Sequence, residues 1–134
     1  MVSQQELEAK VYEYIEVDGY VKNAKEAYQS HRKLEPVRVY QFNCLDEMIA
    51  YQRKKQEWEY RLNILEDRLH NQHNRLQNLE QQIIEMLPVK NAWVKAGNVA
   101  VSFYYDTWGG GHYDLDIKAW EENMQPNRDK TEYP

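Results

Sequence analysis

One heptad register runs unbroken from Met48 to Met86, and it constrains the fold more than any other feature of the chain. With Met48 at position a, the a residues are Met48, Lys55, Leu62, Leu69, Leu76 and Ile83, and the d residues are Tyr51, Trp58, Leu65, Gln72, Leu79 and Met86. All but Lys55 and Gln72 are apolar or aromatic, the pattern of a helix that buries a narrow stripe against another helix. The flanks carry a charge code. Lys54, Arg61, Arg68 and Arg75 occupy g, and Glu59, Glu66, His73 and Glu80 occupy e. A parallel, in-register pair would set Lys54 against Glu59, Arg61 against Glu66 and Arg75 against Glu80, whereas an antiparallel pair would set like charges together. The expectation is a parallel homodimer whose interface is Met48, Tyr51, Trp58, Leu62, Leu65, Leu69, Gln72, Leu76, Leu79, Ile83 and Met86.

Around this helix the punctuation predicts an α+β chain. Ser3 with Glu6 is a capping box, and Leu7, Val11, Tyr14 and Ile15 follow at helical spacing, giving a short first helix to about Val17. Asp18-Gly19 breaks it, and Val21, Ala24, Ala27, Tyr28 and His31 give a second short helix that Glu35-Pro36 ends. Val37–Phe42 reads as a short β-rich segment. Asn43 then caps the long helix, with Asp46 and Glu47 in its first turn and Pro88 beyond its end.

After Pro88 the apolar period drops to two. Ala92–Ala96, Val99–Tyr105 and His112–Ala119 read as three strands of an antiparallel β-meander, the first pair joined by a two-residue turn at Gly97-Asn98. The inward face would carry Val99, Val101, Phe103, Tyr105, Tyr113, Leu115, Ile117 and Ala119. The polar, proline-bearing stretch that follows reads as a disordered tail. The expected organisation is residues 1–42 as a helical pair with a short strand, 43–87 as the coiled-coil helix, 88–120 as the meander and 121–134 as the tail.

Composition narrows the function classes. Net charge is −5, and basic and acidic residues are mixed along the whole chain, so the basic footprint of a duplex-binding protein is missing. Cys44 is the single cysteine, which excludes an internal disulfide framework and fits a reducing, cytoplasmic setting. The first residues lack the plan of a signal peptide, and no apolar run approaches the roughly 18 residues of a membrane helix. Eleven Tyr and four Trp stand against two Phe. Amphipathic rings suit half-wet surfaces such as protein interfaces.

Few residue groups suggest chemistry. His70 and His73 are three apart on the long helix, but two ligands do not make a tight zinc site. His112, Asp114 and Asp116 share the outward face of the last strand and could meet a divalent cation, although any half-exposed strand has such a face. Gly109-Gly110-Gly111 joins two strands rather than opening a helix, so it is not a phosphate-cradling loop. No catalytic, cofactor-binding or metal residue is expected, and no nucleophile–base pair is apparent. The sequence reading is therefore a non-enzymatic dimeric adaptor or scaffold that binds a protein partner through Trp108, Tyr104 and His112. The alternative is a nucleic-acid-associated factor using Arg53, Lys54, Lys55, Arg61, Arg68 and Arg75 with neighbouring rings.

Overall fold

The computed structural model describes residues 2–107 and 110–131. Its elements are helix α1 (Gln4–Arg32), helix α2 (Leu45–Met86) and strands β1 (Val94–Ala96), β2 (Val99–Asp106) and β3 (His112–Ala119). The strands form one antiparallel sheet in the order β1-β2-β3. The chain is thus α+β, with two helices rather than three. No helix among the described residues is long and apolar enough to cross a membrane.

The expected break at Asp18-Gly19 is absent, and α1 runs straight through it. A glycine inside a helix costs about 1 kcal/mol, a penalty that burial of neighbouring side chains can outweigh. Here Val17 and Ala24 are buried on either side, and Asp18 pairs with Lys22 one turn on at 3.0 Å. Side chains hold the first turn of each helix. The Glu6 amide donates to Ser3 Oγ at 3.1 Å, starting α1. Glu47 Oε2 accepts from the Asn43 amide at 3.1 Å, tying down the start of α2. Val37–Phe42, expected as β-rich, is irregular and pairs with no strand.

The chain divides into two compact units, residues 17–75 and residues 1–16 with 76–134. In the first, the two helices are locked by a reciprocal pair. Trp58 Nε1 donates to the His31 carbonyl at 2.8 Å, and His31 Nε2 meets the Trp58 carbonyl at 2.9 Å, so that nitrogen carries the proton. The two rings stack at 5.7 Å. Counting back seven residues on α1 and forward seven on α2 sets Ala24 level with Leu65, both buried. Seven more set Val17 level with Gln72, whose Oε1 is buried without a hydrogen-bond partner among the described residues.

In the second unit Leu7 and Val11 of α1 share a buried cluster with Ile83 and Leu87, and with Ala96 and Val101 of the sheet. Val94, Val99, Phe103, Leu115 and Ile117 pack against it from the inward sheet face. The meander, expected as a segment bounded at 88–120, therefore shares one core with the ends of both helices. Ile84 and Leu87 are buried, while Val89 beyond Pro88 is 60% exposed.

This packing gives the expected interface residues a use within the chain. In each unit the α2 seam lies against α1 of the same chain, antiparallel, so a parallel homodimer through Leu65, Leu79 and Ile83 would first have to displace α1. One of the charges that appeared to choose a parallel partner has another use. Glu80 accepts from the Leu115 amide at 3.0 Å instead of waiting for Arg75 of a second chain.

The first turns of α1 also hold the β1–β2 hairpin. Gln4 donates to the Lys95 carbonyl, Glu8 accepts from the Gly97 amide at 3.2 Å, and the Tyr12 hydroxyl sits where a Cβ on Gly97 would fall. Gly97 has φ +66°, so a side chain there is strained as well as blocked.

Ile83→Ala should lower unfolding free energy by about 2–5 kcal/mol in urea titrations, as expected for a large buried aliphatic side chain. Arg68→Ala, on an exposed part of α2, should change it by less than about 0.5 kcal/mol. Equal losses would contradict this division between seam and outer face.

Candidate interaction site at the free end of the hairpin

The free end of the β2–β3 hairpin gathers the polar and aromatic side chains that the sequence singled out. The register pairs Tyr104 with Asp114, Tyr105 with Tyr113 and Asp106 with His112. Because side chains alternate across a strand, Tyr104, Asp106, His112 and Asp114 share one face and Phe103, Tyr105 and Tyr113 the other. On the aromatic face Tyr113 meets Phe103 and Tyr105 edge-on, with centroids 5.6 and 5.3 Å apart.

On the polar face His112 Nε2 approaches Asp114 Oδ1 at 2.8 Å, and ligand atoms of Asp106, His112 and Asp114 lie within 4.8 Å of one another. The cation-facing trio anticipated on β3 thus exchanges Asp116 for Asp106, a residue that antiparallel pairing brings in from β2. The same two carboxylates act on a cation the chain itself supplies. Lys130 sits over the Tyr104 ring at 5.2 Å. Its ammonium is held above its usual range, chiefly by contact with the Tyr104 phenol and also by Asp106 and Asp114.

Lys130 arrives on a segment that sequence reasoning set aside. Residues 121–131, expected as a disordered tail, turn back at Asn123, whose φ is +71°, and run beside β2 beyond the end of β1. The Lys130 amide donates to the Tyr105 carbonyl at 2.8 Å, the Thr107 amide donates to the Lys130 carbonyl at 2.9 Å, and Asp106 and Lys130 form a parallel bridge. Trp93 Nε1 donates to the Gln125 carbonyl at 2.8 Å, and Ser102 Oγ donates to Asn127 Oδ1 at 2.9 Å. The available signal was Ser102, a hydroxyl within an apolar strand. It is fully buried and needed a partner from somewhere.

Asp129 is the clasp of this segment. It accepts from the Tyr105 amide at 2.9 Å and pairs with Lys90 at 2.6 Å. The Lys90 hydrogen bond, then the Tyr105 amide, hold the Asp129 carboxyl below its ordinary range, and Asp129 raises Lys90 above its own.

Trp108 lies outside the described residues. Its neighbours Gly110 and Gly111 have φ of +96° and +77°, and a Cβ on Gly111 would stand 2.7 Å from the Tyr105 hydroxyl. These glycines thus serve a backbone geometry that side-chain-bearing residues rarely adopt. Of the other sequence candidates, His70 and His73 are both exposed on α2. A separate groove of about 540 Å³ in the same unit is lined by Leu7, Met86, Leu87, Val89 and Trp93, with Ser3 and Gln4 at its polar side. It offers apolar contact area and, among the described residues, no titratable group. Comparison of the chain with protein-family models, with curated proteins and with solved structures finds no match.

The titration signs give a pH window for the clasp. A depressed carboxyl stabilises the docked segment above the unfolded value near ~4 and loses that contribution as pH falls through the lower folded value. The raised Lys90 contributes below about 10.5 and is lost above its folded value. Proteolysis within 121–131, measured relative to a free peptide of the same sequence, should therefore be slow at pH 7 with a neutral protease and faster at about pH 3 with an acid-active one, read by mass spectrometry. Asp129→Ala should show fast cleavage already at pH 7. Equal cleavage of the two proteins at pH 7 would remove Asp129 from this role.

Proposed function

We propose that the protein is a non-enzymatic adaptor that binds a protein partner at the free end of the β2–β3 hairpin. The observation that supports this reading is the juxtaposition of Asp106 and Asp114 with tyrosines. Two half-exposed carboxylates lie within 4.8 Å of each other, and Tyr104 is on the same face. Tyr113, 48% exposed, occupies the opposite face of the same strand end. Close like charges favour an incoming cation. The side chain that satisfies both features is arginine, whose guanidinium pairs bidentately with a carboxylate and stacks on an aromatic ring. The partner is therefore a protein segment that presents arginine at this strand end, where it competes with the Lys130 ammonium and with the His112 contact to Asp114. Tyr and Trp are also the rings that carry most binding energy at protein interfaces. Nucleic acid fits this end poorly, since its phosphates would meet the same two carboxylates.

The test places a photo-crosslinking benzophenone residue at His112 in the native host, with the exposed Tyr40 as a control position. A discrete adduct is expected at position 112. It should fall at least tenfold when Asp106→Lys and Asp114→Lys are added, a loss of about 1.4 kcal/mol or more. Failure to form an adduct at 112, or one indifferent to the charge reversal, overturns the reading.

A further inference from the structure

The outer face of α2 points to a second copy of this chain as its occupant, and we infer an antiparallel homodimer built on Leu45, Ile49, Tyr60 and Ile64. A helix turns about 100° per residue, so these four and Gln56 fall on one side, opposite the seam residues Tyr51, Trp58 and Leu65 that face α1. They are large and exposed: 68% for Leu45, 70% for Tyr60 and 40% for both Ile49 and Ile64. The rest of residues 17–75 leaves these side chains exposed, and an apolar strip of this length on an exposed face marks an interaction surface.

Charge complementarity selects the occupant and its direction. Asp46, Arg53, Glu57 and Arg61 line one flank of the strip, are all exposed, and make no ion pair among the described residues. In an antiparallel pair each flank faces itself. A two-fold axis passing between Arg53 and Gln56 sets Leu45 against Ile64 of the second copy and Ile49 against Tyr60. The same register sets Arg53 against Glu57 and Asp46 against Arg61, each twice over by symmetry. Gln52 and Gln56 meet across the axis, where a polar pair fixes register. A parallel pairing of the same strip would set Met48 against Arg53 and Gln52 against Glu57, with no unlike charges opposed. The surface is complementary to itself in one direction only.

Sedimentation equilibrium at tens of micromolar tests this directly. The wild-type chain should be dimeric, with an affinity that falls as salt rises. Ile49→Asp/Tyr60→Asp should be monomeric at the same concentration with unchanged helical circular dichroism, because both positions are exposed in the single chain. Arg53→Glu should weaken dimerisation at least tenfold by facing Glu57, and Arg53→Glu/Glu57→Arg should restore it to within about threefold. A wild-type monomer would overturn the inference. So would a dimer that survives Ile49→Asp/Tyr60→Asp, or a double reversal that restores nothing.

Discussion

The antiparallel closure of α2 by α1 is the constraint on which the rest depends. A helix with one apolar stripe and a polar remainder gains little in water until that stripe is covered. Within residues 17–75 the stripe is covered by Val17, Ala24 and the His31–Trp58 pair, and among residues 1–16 and 76–134 by Leu7 and Val11 against Ile83 and Leu87. The His31–Trp58 pair sets the register on one side through two hydrogen bonds that do not permit a slip of even one turn. On the other, Gln4, Glu8 and Tyr12 lie along one side of α1 and grip a single hairpin. A helix shifted by a few residues would lose those contacts together.

Much of this was legible in the chain. The alternation from His112 to Ala119 marks β3 with its observed bounds, and the capping residues Ser3 and Asn43 place both helix starts to within two residues. The heptad pattern correctly required a partner helix for α2. It could not say which helix, since a seam specifies the shape of what covers it and not its origin. Leu7, Val11, Tyr14, Val17, Val21, Ala24, Tyr28 and His31 keep the same three-and-four spacing along α1. Reading Asp18-Gly19 as a stop divided that second seam into fragments too short to serve. The weight of a glycine depends on whether its neighbours are buried, which no local pattern reveals.

The hairpin end was half legible. Tyr104 and His112, both named from the sequence, share one face of the sheet because strand alternation and pairing place them there. Asp106 was missed, since its approach to Asp114 depends on pairing between strands. Lys130, Asp129 and Asn127 were missed for a different reason. A polar stretch without periodicity gives no sign that it will be bound by backbone hydrogen bonds, and here the demand for those bonds comes from the unpaired side of β2 past the end of β1.

Two of the contacts described above act together on the sheet's borders. A three-stranded sheet leaves two outer rows of amide and carbonyl groups, and such rows invite strands from other molecules. On the β3 side, the Leu115 amide is already spent on Glu80 of α2. On the β2 side, where short β1 stops, residues 127–130 occupy the row as far as Thr107. Each border is thereby blunted at these positions, which works against the growth of a shared sheet beside the exposed Tyr113 and its neighbouring rings. A chain deprived of Glu80 and of its last residues would keep the same aromatic surface beside two open templates, and the same tyrosines would then favour aggregation.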